Sequence, residues 1–161
     1  MSKIFYTAIL LMAFTFINPN ASVAQTSKYK CMIQMTNYMG EGAYVVISLI
    51  DSKGAYDKTL YVLGPDKKWY KTVKEWHKFH SKKPANISAI TGASVTGGDR
   101  SVNVIEIENA KINKGYKLRF ESAVEDKNYN VKDLEIPLTT ESLSAKSDGT
   151  GYIRYVRFSP N

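Results

Sequence analysis

Short runs rich in Val, Ile, Tyr, Phe and Thr, separated by turn residues, make up most of this 161-residue chain. β-branched and aromatic residues favour strands, and Gly, Asp, Asn and Ser between the runs favour turns. In residues 115–125, Tyr116, Leu118 and Phe120 alternate with Lys117, Arg119 and Glu121, and in residues 152–158 the alternate positions hold Tyr152, Arg154, Val156 and Phe158. Because successive side chains of a strand point to opposite faces, this alternation predicts strands buried on one face. Seven or so such runs predict a mainly β protein with a β-sandwich fold.

The first three runs carry the clearest connections. A loop at residues 39–42 separates residues 29–37 from residues 43–50, and residues 51–54 have the composition of a tight turn before the run at 59–63. Asp at the start of a turn and Gly near its end are typical of such connections. We therefore expect these three runs to be consecutive antiparallel partners. The other predicted strands are residues 102–108, 115–125, 134–138 and 152–158.

One segment between the third and fourth runs has a different period. From residue 66 to residue 80, apolar side chains recur at Trp69, Val73 and Trp76, with lysines between them, and Pro84 follows. This spacing predicts an amphipathic helix of three to four turns, inserted between two strands and lying on the sheet. We expect the tryptophans to belong to its buried face.

The N-terminus predicts export. Lys3 precedes an uncharged apolar stretch at residues 4–17, and Ser22-Val23-Ala24 offers small residues for cleavage. These are the parts of a secretory signal peptide, and the apolar stretch is shorter than the roughly 20 residues that span a membrane. We predict a signal peptide at residues 1–24 and a single β-sandwich domain at residues 25–161. The protein is then periplasmic and not itself an integral membrane protein.

The single cysteine and the charge narrow the possible functions. Cys31 has no partner for an internal disulfide, and its place on the apolar face of a predicted strand favours a buried side chain. The formal net charge is +7, with a local run of lysines along the predicted helix. An exported protein is a poor nucleic-acid binder, so we interpret these lysines as a solvated helix face.

Two histidines offer a weak metal site. His77 and His80 lie three residues apart, which puts both imidazoles on one helix face. Such a pair can share a metal ion, but the sequence supplies no further ligand at a matching spacing. The alternative is two histidines at the edge of the apolar face.

No motif of a conventional hydrolase is present: the sequence has no nucleophile elbow and no phosphate-binding glycine loop. The carboxylate pairs Glu106 with Glu108 and Glu121 with Glu125 fall at even spacings on predicted strands, and we expect them on solvent faces. The chain is therefore predicted to be an electron carrier or a binding protein rather than a stand-alone enzyme.

One loop points to specific chemistry. Residues 91–96, Thr-Gly-Ala-Ser-Val-Thr, resemble position for position the motif of covalently flavinylated domains, in which a flavin transferase moves FMN from FAD onto the last hydroxyl. The resemblance implies covalent FMN on Thr96. Flavinylated domains usually carry Asp three residues before the motif, where this chain has Ser88. A plain Ser/Thr/Gly connection between helix and strand is the alternative. The cofactor-binding residues implied are Thr91, Gly92, Ala93, Ser94 and Thr96.

Nearly the whole chain after residue 24 resembles a family of predicted periplasmic proteins of unknown function. The resemblance lies in residues 43–63, in the Trp-bearing segment, in the 91–96 loop and in the Gly115-x-Tyr segment. It implies an immunoglobulin-like β-sandwich, with a PepSY-type membrane protein and a flavin transferase as partners. The expected function is electron transfer in the cell envelope. The alternative is a non-catalytic, immunoglobulin-like binding or accessory module.

Overall fold

A computed structural model describes residues 25–161, and the predicted signal peptide at residues 1–24 lies outside them. Within this part of the chain, nine strands form two sheets. The strands are β1 (Thr26–Met35), β2 (Tyr44–Ile50), β3 (Tyr56–Leu63), β4 (Thr91–Gly92), β5 (Arg100–Glu108), β6 (Lys117–Ala123), β7 (Tyr129–Pro137), β8 (Lys146–Asp148) and β9 (Ile153–Pro160).

The two sheets confirm the mainly β, sandwich-like architecture. One sheet has four strands in the order β5-β1-β9-β8, and the other has five in the order β4-β3-β2-β6-β7. Paired strands are antiparallel except β3 and β4, which run parallel. The two strands beyond the predicted seven are β4 and β8, of two and three residues. Alternation cannot be recognised in segments this short.

The predicted order of the first three strands was wrong in one respect. β2 and β3 form an antiparallel hairpin as expected, but β1 lies in the other sheet, between β5 and β9. Residues 36–43 carry the chain across the sandwich instead of turning it back along β1. Alternation identifies a strand and its buried face, but it carries no information on which sheet the strand joins.

The main core fills the space between the sheets. It includes Ile33, Ile47, Phe120 and Val156, each with 0% of its surface exposed. Cys31 belongs to this core, which confirms the prediction that its side chain is buried, and burial raises the pKa of its thiol.

A helical segment covers the outer face of the five-stranded sheet. A 3-10 helix at Lys67–Thr72 precedes an α-helix, α1, at Lys74–Lys82. The prediction of one continuous helix was wrong, because Val73 between them has φ −88° and ψ 74°, outside the helical range. No helix in residues 25–161 is long and apolar enough to cross a membrane.

A second apolar cluster joins this segment to the sheet. Trp76 is fully buried against Val46 and Val62 of β2 and β3, which confirms its predicted place in the core, whereas Trp69 is only half-buried. β2 is therefore buried on both faces, by the opposite sheet and by the helical segment. Its nearly unbroken apolar sequence reflects this position.

The same cover explains why Glu121 is not on a solvent face, as its spacing had suggested. Its side chain is 0% exposed and accepts hydrogen bonds from the hydroxyls of Tyr56 and Tyr129 and from the backbone N–H of Trp76. Burial raises the pKa of Glu121. The face of β6 that carries it would be exposed only if α1 were absent.

Candidate functional site

The 91–96 loop is the crossover between the two sheets. It begins as β4, which pairs in parallel with residues Val62 and Leu63 of β3, and it leads into β5 of the opposite sheet. The Gly64 N–H donates to the Gly92 carbonyl at 2.8 Å and holds the start of the loop on the five-stranded sheet.

The residue before Thr96 is held firmly. Val95 is buried and forms an isolated antiparallel bridge with Ala43, with N–H to carbonyl distances of 2.8 and 3.1 Å. The Tyr38 hydroxyl donates to the Val95 carbonyl and accepts from the Ala43 N–H at 2.7 Å. Two backbone bonds and one tyrosine therefore hold this position in the loop.

The residues after Thr96 are held as well. The Asp99 N–H donates to the Thr96 carbonyl at 3.1 Å, which makes Thr96 the first residue of a four-residue turn. Gly98 has φ +81°, the left-handed region that glycine adopts without steric cost. Its N–H donates to the Thr36 carbonyl at 2.8 Å, and Gln34 Nε2 donates to the Gly98 carbonyl at 2.8 Å.

Thr96 is exposed between these two anchored neighbours. Thr91, at the other end of the motif, is half-buried, and its hydroxyl donates to the Ile87 carbonyl at 2.8 Å. Gly92 is held close to Tyr61, because a Cβ at this position would lie 2.8 Å from the Tyr61 hydroxyl oxygen. Of the motif's three hydroxyls, the one at Thr96 is the most accessible to a second protein.

The half-buried Ser94 faces a crevice of about 250 Å³. Trp69 lies on the same crevice, and Lys68 Nζ is 5.1 Å from the centre of its ring. Three carboxylate residues also line it, Glu41, Asp66 and Glu125. The crevice thus offers an aromatic surface next to the motif, but its carboxylates oppose a bound phosphate.

His77 and His80 are brought together as the helical spacing predicted. Both line one crevice beside α1, and the His80 ring stacks on Trp76 with centroids 5.0 Å apart and an interplanar angle of 13°. Residues 25–161 contain no group of three or more His, Cys, Asp or Glu side chains arranged to hold a metal ion. Ser88, at the position where flavinylated domains carry Asp, is exposed and lines this same crevice.

The sequence did not reveal the residues that hold the motif. Tyr38, Ala43 and Gln34 come from the chain around β1 and the start of β2, more than fifty positions away. A lone tyrosine between a predicted strand and a predicted loop gives no sign of such a contact. Its only clue was its place beside Gly40 and Gly42, in a connection without apolar alternation.

These features define the class of the protein: a β-sandwich with a helical cover on one sheet and a rigid Ser/Thr-rich crossover that leaves one threonine exposed. The family described as predicted periplasmic protein, DUF2271, matches residues 26–155, and the chain belongs to this family. The protein is accordingly periplasmic. Neither a curated protein nor a solved structure matches the chain significantly.

Proposed function

We propose that the protein is a periplasmic electron-transfer protein that carries FMN covalently on Thr96. One observation carries this proposal: Thr96 is exposed at the first position of a turn whose neighbours on both sides are hydrogen-bonded to the sandwich. A transferase needs an accessible hydroxyl on a backbone that does not yield during the reaction. The reaction itself, transfer of FMN to a threonine hydroxyl, is inferred from the resemblance of residues 91–96 to the motif of covalently flavinylated domains.

The attachment reaction is a phosphoryl transfer that needs FAD and a flavin transferase. The Thr96 oxygen forms a phosphoester bond with the FMN phosphorus, the pyrophosphate bond of FAD breaks, and AMP leaves. The hydroxyl proton passes to a base of the transferase or to water. This chain contributes the acceptor oxygen and its position, since no basic side chain among residues 25–161 is hydrogen-bonded to Thr96.

The surroundings fit the ring of a flavin better than its phosphate. Trp69 lines the crevice that Ser94 faces, and an aromatic surface of this kind stacks on planar ligands. The three carboxylates of that crevice repel a phosphate, which would instead stay at the exposed turn. When bound, the isoalloxazine would supply the redox chemistry. Lys68 beside Trp69 is paired with Asp66 at 3.3 Å, so its charge is already balanced within the crevice.

The partners follow from the same proposal. A PepSY-type membrane protein would donate or accept the electrons, and a flavin transferase would load the carrier. Covalent attachment suits a periplasmic carrier, because a loosely held flavin would diffuse away outside the cytoplasm.

The test is the intact mass of protein co-expressed with a flavin transferase. We expect the wild-type protein to gain the mass of one attached FMN and a flavin absorption spectrum, and Thr96→Ala to lose both. Thr140→Ala is the matched control, because Thr140 is also exposed but lies outside the loop. Retention of the added mass by Thr96→Ala, or a wild type without it, refutes the proposal.

Ser88 offers a second and graded test. We expect Ser88→Asp, which restores the usual acidic residue of flavinylated domains, to raise the fraction of protein loaded by a limiting amount of transferase. Ser88 is exposed, so the substitution leaves the core intact. Ser144→Asp, at another exposed serine, is the control and should leave loading unchanged.

A non-catalytic accessory module is the second candidate, and β5 favours it. β5 is the edge strand of the four-stranded sheet, and its Val102 and Val104 are 57% and 42% exposed. An exposed edge with apolar side chains can receive a strand from another protein. This candidate predicts a colourless protein under the co-expression test, and a partner whose binding is lost in Val102→Lys.

A further inference from the structure

A crevice of about 480 Å³ lies beside the helical segment, apart from Thr96 and the Trp69 crevice. One wall is formed by α1, through His77 and His80. The connection between α1 and β4 contributes residues from Ala85 to Thr91 to the lining, and the 3-10 helix contributes Lys67. This volume is within the range of small-molecule sites in proteins, which starts at about 300 Å³.

The charged groups that line this crevice are all basic. Among the residues that the structure describes, Lys67, His77, His80 and Tyr70 are its ionisable side chains, and none of the lining residues carries a carboxylate. Burial, and then the neighbouring His77 and Lys67, lower the pKa of His80 below its usual value. Basic groups that oppose one another's protonation are stabilised by an anion placed between them.

The His80 imidazole is held in place rather than free to turn away. Its ring stacks on Trp76 with centroids 5.0 Å apart, and the Trp76 Nε1 donates to Thr59 Oγ1 of β3 at 2.9 Å. Trp76 itself is fully buried. A pre-positioned ring loses little conformational freedom when a ligand binds.

The rest of the lining is apolar or neutral. Pro65, Ala85 and Ile87 supply apolar contact, while Asn86 and Ser88 supply hydrogen-bonding groups. Small-molecule sites combine apolar walls with a few convergent polar groups in this way. A simple inorganic ion would leave the apolar walls unused.

We propose that this crevice binds a small organic dianion, with its acidic groups at Lys67, His77 and His80 and its apolar part against Pro65, Ala85 and Ile87. The proposal does not require flavin attachment, because its acidic groups contact neither Thr96 nor the Trp69 crevice, although Ser88 and Thr91 line the same crevice as the dianion. Three basic side chains can contact both acidic groups of a dianion, whereas a monoanion would leave some of them without an acidic group to bind.

The ionisable surroundings of His80 determine how binding responds to pH. On its open side are Lys67, Tyr70 and His77. On the other side, an adjoining crevice brings it near Asp57, Lys58 and Lys83, but Asp57 is bonded to Lys111 at 2.7 Å. A bound dianion raises the pKa of His80, so affinity decreases as pH rises through the imidazole range, about 5 to 8.

Isophthalate is a suitable probe, because its two carboxylates stay ionised across that pH range. Calorimetry should show binding that is tighter than that of sulfate, which lacks an apolar part, and of benzyl alcohol, which lacks charge. NMR titration should show a higher His80 pKa in saturating isophthalate than without it. We expect His80→Gln and Lys67→Gln each to weaken isophthalate binding about tenfold or more.

Lys78→Gln is the matched control. Lys78 is an exposed cation of the same helix that does not line this crevice, so its loss should change affinity less than twofold, as for a distant surface charge. No detectable binding at about 10 mM isophthalate, equal losses in Lys78→Gln and His80→Gln, or an unshifted His80 pKa would each overturn the proposal. Thermal unfolding of each variant checks that it is folded.

Discussion

A buried carboxylate holds the turn between β8 and β9. Asp133 of β7 is 0% exposed, and its Oδ1 accepts from the N–H groups of Gly151 at 2.7 Å and Thr150 at 3.1 Å. Its Oδ2 accepts from the Ile153 N–H at 3.0 Å and from the Ser122 hydroxyl. Four donors thus converge on two oxygens, and both oxygens are needed as acceptors.

Asp133→Asn keeps the shape of this side chain but turns one oxygen into an NH₂ group. The Thr150 N–H keeps the Asp133 carbonyl as a second acceptor at 2.8 Å, and the Ser122 hydroxyl can rotate. The N–H of Gly151 or of Ile153, however, loses its acceptor in either amide orientation. An orphaned buried donor costs about 1–3 kcal/mol, and the remaining bonds weaken on losing the charge. We expect a loss of about 2–4 kcal/mol in the free energy of unfolding.

Urea unfolding followed by tryptophan fluorescence measures this loss. A decrease of that size moves the midpoint by roughly 1–2 M for a domain of this size. Asp148→Asn is the control, since the Asp148 side chain is 66% exposed and pairs with the similarly exposed Lys146; it should cost less than about 0.5 kcal/mol. If both variants unfold at the same urea concentration, the reasoning about buried donors is refuted.

Two further predictions test the loop anchor and the buried acid. Tyr38→Phe removes the hydroxyl shared by Val95 and Ala43; we expect a cost of about 1 kcal/mol and faster amide hydrogen exchange at both residues, and unchanged exchange would contradict the anchor. Burial raises the pKa of Glu121, so its stabilising contribution is complete below its ordinary pKa and is lost as pH rises through the raised one. The stability of wild type relative to Glu121→Gln should therefore fall as pH rises above the ordinary glutamate pKa of about 4.3 in urea titrations, and a rise would show the opposite shift.

The candidate site could be predicted only in part. The motif residues and the shared face of His77 and His80 follow from short-range sequence patterns, whereas the exposure of Thr96 is known from the structure. The anchors of the loop, Tyr38 and Gln34, do not, because their contacts join residues more than fifty positions apart. Lys67, His77 and His80 line one crevice, and this too could not be predicted from helical spacing. The helical segment is broken at Val73, so Lys67 belongs to a separate helical piece.

The sequence by itself determined the sandwich class, most of the strands and the buried positions of Leu118 and Phe120 on one face of β6. These properties depend on side-chain period and on turn residues, which act over a few positions. Tertiary structure alone decided that β1 joins the sheet opposite β2 and that Glu121 is buried. Both depend on which surfaces meet in the folded protein. A strand has the same side-chain period in either sheet, and spacing along the sequence predicts a solvent-facing carboxylate even where a helix covers it.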